Sequence, residues 1–225
     1  MTESFKPRHQ RRDMPRRRFL KRTLLAIGGS GALVLPAGTA NAAGLQITPA
    51  QVAGPFYPKD KPRETDWNLL SVDGGEAPAG EPLELLGRVS DRKGHPVVGA
   101  HIEIWQCDSQ GIYDHPRADE QESFDRRFQG YGALETDAGG GFRFLTLMPV
   151  PYPSRPPHIH VRIRRGPVEA LTTQLYLKDH PENDRDGFLA LMMFPGQGEL
   201  LLDPRDADLG NGIRGKSARY DFVVV

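Results

Sequence analysis

HIHVRIR, residues 158–164, alternates along its length, with His158 and His160 separated by a single apolar residue, Ile159. Side chains at i and i+2 of a strand share a face, so this stretch predicts a β-strand with both imidazoles on one side. LELLGRV (83–89), VVGAHIEIWQ (97–106), GFRFLTL (141–147), TTQLYL (172–177) and RYDFVVV (219–225) are stretches of the same kind. In VVGAHIEIWQ, Ile102 and Ile104 face one way, and His101, Glu103 and Trp105 the other. Turn sequences such as DRKGHP and DAGGG punctuate these stretches. The chain's 25 glycines and 20 prolines in 225 residues also argue against long helices. The expected architecture is all-β: an antiparallel β-sandwich with an extended N-terminal arm. The spans 107–135 and 178–215 are expected to be long loop excursions, where function concentrates on such a scaffold.

Hydrophobic residues make up 38% of the chain, enough for one core. The single cysteine, Cys107, excludes an intrachain disulfide and is expected to be a buried packing residue. The zero formal net charge hides an asymmetry, because residues 1–42 hold nine Lys/Arg and two Asp/Glu. The remainder has 20 basic against 27 acidic residues, a poor balance for binding nucleic acid.

The basic segment has the form of an address. RRRFLK (16–21) is followed by TLLAIGGSGALVL (23–35) and by Ala40-Asn41-Ala42 as an A-x-A cleavage site. The apolar run is 13 residues, short of the roughly 20 that a spanning helix needs. The Arg16-Arg17 pair resembles a twin-arginine signal. The expected organisation is a signal peptide over 1–42, an arm over 43–82 and a β-sandwich domain over 83–225. The protein is expected to be exported to the periplasm or beyond, with no stable membrane anchor after processing.

The chemistry-bearing residues cluster in PYPSRPPHIHVR (151–162) and WQCDSQGIYDHP (105–116). A His-x-His pair on a strand is by itself more often structural than metal-binding. Here Pro156 and Pro157 restrict the approach to it, and Tyr152 and Tyr113 lie within reach in the sequence. A phenol titrates near 10, so binding as phenolate requires a strongly acidic metal. Zinc sites use Cys, His and carboxylates, and a ferrous facial triad uses two His and a carboxylate. Ferric iron is the candidate, acting on a bound organic substrate.

IEIWQ…GIYDHP (102–116), PYP…RPPHIHV (151–161) and TQLY (173–176) together resemble the intradiol ring-cleavage dioxygenases, the group of protocatechuate 3,4-dioxygenase and catechol 1,2-dioxygenase. GPFYP (54–58) is similar to a segment of their N-terminal arms. The resemblance covers roughly residues 50–200. It implies a β-sandwich with a mononuclear non-haem Fe(III), a catecholic substrate, dioxygen as co-substrate and a muconate-type diacid as product. It also implies that Tyr113 and His160 are equatorial ligands and Tyr152 and His158 the axial pair. Tyr152 would leave the metal to take a substrate proton, Arg155 would lie against the bound ring, and Gln174 would support the site from behind. Relatives form dimers or larger assemblies, so a homo-oligomer stays open.

The plainer expectations stand beside these. Trp105 packs a core strand, and His101 and His115 are polar or surface residues. Arg162, Arg164 and Arg165 form a solvated strand face or a rim, and Tyr57 lines the pocket or packs the arm. The acidic run Glu182–Asp186 is a loop in water. Two other function classes are open: a secreted β-sandwich binding module with an inactive or altered metal site, and a zinc hydrolase using His158 and His160, which lacks an evident carboxylate beside them.

Overall fold

The computed structural model describes residues 44–62, 64–118, 123–153, 155–187 and 200–225. The expected signal segment lies outside them. Ten strands form among the described residues: β1 (Pro82–Asp91), β2 (His101–Trp105), β3 (Tyr131–Glu135), β4 (Gly141–Leu147), β5 (His158–Arg165), β6 (Val168–Leu177), β7 (Leu201–Leu202), β8 (Arg205–Asp208), β9 (Arg214–Arg219) and β10 (Phe222–Val224). They make two five-stranded sheets. The first carries β4 on one edge of β1, with β9 and then β10 along the other edge and β8 outside β9. The second runs β3-β2-β5-β6-β7.

The sandwich is all-β as expected, but its sheets are mixed. β1 pairs in parallel with β9 and β10, and β6 pairs in parallel with β7. Each parallel partner comes from the C-terminal part of the chain, returning beside a strand laid down earlier. The two expected excursions also contain strands. β3 lies within 107–135, and β7, β8 and the start of β9 within 178–215. YGALE, RDAD and RGKSAR lack the apolar alternation that marks a half-buried strand.

The main core lies between the sheets. Leu83, Leu85, Phe142 and Phe144 from the first sheet meet Ile102, Ile104, Ile159, Val161, Ile163 and Leu175 from the second. The second sheet's outer face is also covered. Trp105, Cys107, Tyr113 and Tyr131 form a separate cluster there, packed by Ala53, Phe56, Tyr57 and Tyr152. The described residues of 44–81 form no strand and run along the sandwich. Backbone bonds tie Leu45 to Arg92, Thr48 to Val223 and Gln51 to Thr172. No helix among the described residues is long and apolar enough to cross a membrane.

Candidate metal centre

Register aligns the outer face of the second sheet. Trp105 of β2 pairs with His160 of β5, which pairs with Gln174 of β6, and His158 pairs with Tyr176. One row of side chains thus carries indole, imidazole and amide across three strands. His160 stacks on Trp105 with centroids 4.8 Å apart and planes 5° from parallel. Both histidines are almost completely buried.

Two loops and the arm complete the site. The loop after β2 is folded around Asp108, whose carboxylate accepts from the backbone N–H groups of Gln110, Ile112 and Asp125 at 2.9–3.0 Å. This loop delivers Tyr113. Gly111 in it has φ +84°, and a Cβ there would lie 3.0 Å from the Pro151 carbonyl oxygen and 3.2 Å from Tyr152 Cβ. A side chain would therefore push the second tyrosine away. Tyr152 sits in a tight turn closed by reciprocal backbone bonds with Arg155 of 3.3 and 2.9 Å. From the arm, Phe56 stacks on Tyr113 at 4.6 Å. Gly54, at φ +71°, passes so close to His160 that a Cβ would lie 3.3 Å from Cε1.

The structure brings the four predicted ligands together. Ring centroids are 5.4 Å apart for Tyr113–Tyr152, 5.4 Å for Tyr152–His158, 4.8 Å for His158–His160 and 6.1 Å for His160–Tyr113. His158 Nδ1 lies 2.7 Å from the Pro156 carbonyl oxygen. Only a protonated Nδ1 can bond a carbonyl, so Nε2 of His158 carries the lone pair. That Nε2 lies 3.2 Å from Nε2 of His160. Two lone pairs repel at this distance unless a proton or a cation stands between them. Burial lowers the pKa of both rings, to about 4 for His158 and well below the ordinary range for His160, and the Arg155 charge adds to the effect. Both rings are therefore neutral at physiological pH, with lone pairs free to bind a cation.

The phenols complement them. The Tyr113 hydroxyl is buried beside the Tyr152 phenol, with no hydrogen bond of good geometry among the described residues. Burial, with the neighbouring Cys107 thiol and Tyr152 phenol, holds its pKa well above 10. Burial also raises the pKa of Tyr152, which Arg155 partly offsets. Losing either proton requires a concentrated positive charge nearby. No cluster of three or more His, Cys, Asp or Glu side chains among the described residues could hold a metal, so a zinc site built from those types lacks its donors. Two neutral imidazoles facing two unionised phenols suit a hard, highly charged ion, and the donor set fits Fe(III).

The structure places Arg155 and Gln174 beside the same centre. Arg155 donates from Nε to Asp186 at 2.7 Å, and from Nη2 to Gln174 Oε1 at 2.6 Å and Tyr176 Oη at 3.2 Å. Gln174 in turn donates to the Val52 carbonyl at 2.9 Å. A cavity of about 480 Å³ opens beside the tyrosines, lined by Phe56, Ile112, Tyr113, Arg117, Tyr152 and Arg155 among others.

Several plainer expectations need correction. Asp186 is not in water; it is buried against Arg155. His115 is buried, beside Phe56, and its Nδ1 accepts from the Arg117 backbone N–H at 3.1 Å. Arg162 lies over Tyr57, its guanidinium carbon 4.1 Å from the ring centroid, and Arg164 reaches Glu103 at 3.3 Å, so neither belongs to a bare solvated face. Tyr57 packs edge-on against Trp105 and bonds Glu103. Glu103, whose sequence context does not mark it as a site residue, is buried and also bonded by Tyr131 at 2.7 Å. Its alternation phase was legible, but its partners come from the arm, β3 and β5. The Cys107 thiol, pushed up to about 12 by burial, is a packing group.

A family model described as "Dioxygenase" matches residues 52–225. The chain is 33% identical over 153 residues to a hydroxyquinol 1,2-dioxygenase of Corynebacterium glutamicum, covering 60% of this chain and 48% of that protein. It is 36% identical over 128 residues to a protocatechuate 3,4-dioxygenase beta chain of Burkholderia cepacia, covering 53% and 54%. The chain spans about half the length of these curated relatives. Among solved structures, the dioxygenase domain of a dioxygenase–carbohydrate-binding fusion protein from Streptomyces sp. SirexAA-E superposes with a TM-score of 0.61 at 31% identity, over 79% of this chain and 97% of that one. A hydroxyquinol 1,2-dioxygenase from Pseudomonas putida DLL-E4 gives 0.59 at 29% identity, over 79% and 66%.

Proposed function

The chain belongs to the intradiol ring-cleavage dioxygenase family, and from that premise we propose that it opens a catecholic ring between its two hydroxylated carbons, using dioxygen at a mononuclear ferric ion held by Tyr113, Tyr152, His158 and His160. The observation that carries this reading is the pair of buried imidazoles with Nε2 atoms 3.2 Å apart, facing two phenols, one of them buried with no hydrogen bond of good geometry among the described residues. When bound, the ferric ion supplies Lewis acidity and an electron-withdrawing template for the catecholate.

The rest is the work of the chain's own residues. His158, its tautomer set by Pro156, and His160, wedged between Trp105 and Gly54, hold fixed nitrogen donors. Tyr113 is held rigidly by Phe56 and the loop. Tyr152 borders the cavity beside Arg155, so its phenolate oxygen can take the first proton from an entering catechol. Arg155 presents a fixed positive charge to the cavity, which stabilises negative charge developing on the ring. Gln174 braces it through the arm at Val52. Phe56, Ile112 and Pro55 wall the cavity with apolar surface that excludes water from the ring.

Export by the twin-arginine route is part of the same proposal. It rests on the sequence of residues 16–42 and suits a protein that folds around its metal before transport.

The test is oxygen uptake by iron-loaded protein with a panel of catechols, with product masses measured. One dioxygen consumed per catechol, and a product heavier by two oxygen atoms, supports the reading. Iron-loaded protein that consumes no oxygen with any of them contradicts it.

A further inference from the structure

Asp186 is a buried carboxylate that the proposed chemistry leaves without a task. Its side chain is 0% exposed and forms an ion pair with Arg155, whose side chain is 14% exposed. A buried pair of this kind is a weak source of stability, because desolvating two charges offsets most of their attraction. Its place in the fold suggests another use. Asp186 ends a short 3-10 turn, Asn183–Arg185, and its backbone N–H bonds Asn183. The Asn183 amide in turn donates to the Leu177 carbonyl at 2.8 Å, pinning the turn to the end of β6. The carboxylate is thereby aimed inward at the Nε edge of the guanidinium. Gln174 and Tyr176 hold the Nη2 end, and Tyr176 is itself bonded to Gln51 of the arm at 2.9 Å. Of these three partners only Asp186 carries charge, and charge-assisted bonds are roughly twice as strong as neutral ones. Arg155 lines the cavity, whereas Asp186 is not among the lining residues.

We propose that Asp186 is a positioning residue that acts through Arg155, setting the direction in which the guanidinium faces the bound ring. This rests on the ring-cleavage reading above. A guanidinium is a planar fork with directional edges, so a cation that loses the charge-assisted bond on one edge can turn within the wall and lose its alignment without leaving the site. Gripped on two edges by different elements, the guanidinium is fixed before substrate arrives.

The test is a double-mutant cycle on iron-loaded protein, with rates expressed per bound iron. The variants are Asp186→Asn, Arg155→Gln and the pair. With Arg155 present, Asp186→Asn is expected to lower kcat at least about tenfold, with a smaller change in KM. In the Arg155→Gln background the same substitution is expected to change kcat by less than about twofold, because the group it orients is gone. A merely structural aspartate would cost the same factor in both backgrounds, and that result overturns the proposal, as does an unchanged kcat in Asp186→Asn. If the asparagine variant does not fold, Asp186→Glu carries the same cycle. It keeps the charge but displaces the guanidinium, and it is expected to lower kcat only when Arg155 is present. NMR of the metal-free protein gives a readout independent of turnover. The Arg155 Nε–H should exchange slowly in the wild type and rapidly in Asp186→Asn, and equal exchange in the two also overturns the proposal. Wild-type protein inert towards every catechol sinks the ring-cleavage reading and the positioning role with it, while the exchange measurement still reports on the ion pair itself.

Discussion

The two faces of strand β5 are built to opposite ends. Ile159, Val161 and Ile163 point into the space between the sheets and belong to its apolar core. His158 and His160, one residue out of phase, are just as buried, but they face phenols, an indole and an arginine–aspartate pair. The inner face obtains its free energy from burial, at roughly 25 cal/mol per Å². The outer face buries polar groups that cost free energy until something satisfies them. Equal burial therefore means stability on one side and stored binding capacity on the other.

Substitutions on the two faces should separate these quantities. Removing a proposed ligand, as in His160→Ala, should reduce ring-opening activity by well over about 100-fold, since even groups that only orient a ligand are worth 10- to 100-fold. Metal-free thermal stability should change far less. Ile163→Ala should do the converse, costing about 2–5 kcal/mol in denaturant unfolding with iron per folded chain unchanged. If His160→Ala unfolds the protein as badly as Ile163→Ala, the contrast between the faces fails.

Tyr152→Phe retains the ring but not the oxygen. It should slow catechol binding in stopped-flow mixing by about 100-fold or more, the usual worth of a positioned base, and change the colour of the iron-loaded protein. Turnover like that of the wild type would remove Tyr152 from the role of proton acceptor.

Of the two faces of β5, acid should act on the outer one. Its imidazoles have pKa values below the unfolded value near 6.5, His158 at about 4. The unfolded chain therefore binds more protons than the folded one in this range. Their contribution is intact above about pH 6.5 and is lost as pH falls towards 4, at about 1.4 kcal/mol per pH unit for each ring. Calorimetry of metal-free protein should show Tm falling through that window. A Tm flat between pH 6.5 and 4.5 would mean that the rings are not held neutral.

The smallest effect is expected where the arm touches the outer face. Gly54→Ala places a Cβ at φ +71° against His160. It should cost about 1–2 kcal/mol for the left-handed backbone and loosen iron binding slightly, as measured by chelator competition.

Much of this contrast can be read in the sequence. HIHVRIR and GFRFLTL declare their strands by alternation, and the four metal-ligand candidates stand out because tyrosine and histidine combine in a pattern with a specific family resemblance. RDAD and RGKSAR do not declare themselves, since β8 and β9 are largely polar and are held in place by pairing to each other and to β1. Asp186 was illegible for a different reason. An aspartate in an acidic loop resembles any solvated residue, and only the docking of the Asn183–Arg185 turn under β6 turns it inward. Glu103 sits in phase with Trp105, yet its burial depends on an arm that joins it from 46 residues earlier at Tyr57.

The most direct test is to titrate the purified metal-free chain with ferric iron and record its visible spectrum, alongside Tyr113→Phe and Tyr152→Phe. The account predicts one iron per chain and an intense tyrosinate-to-iron absorption that each phenylalanine variant weakens or shifts. A colourless protein, or an iron affinity indifferent to the loss of both phenols, would contradict it.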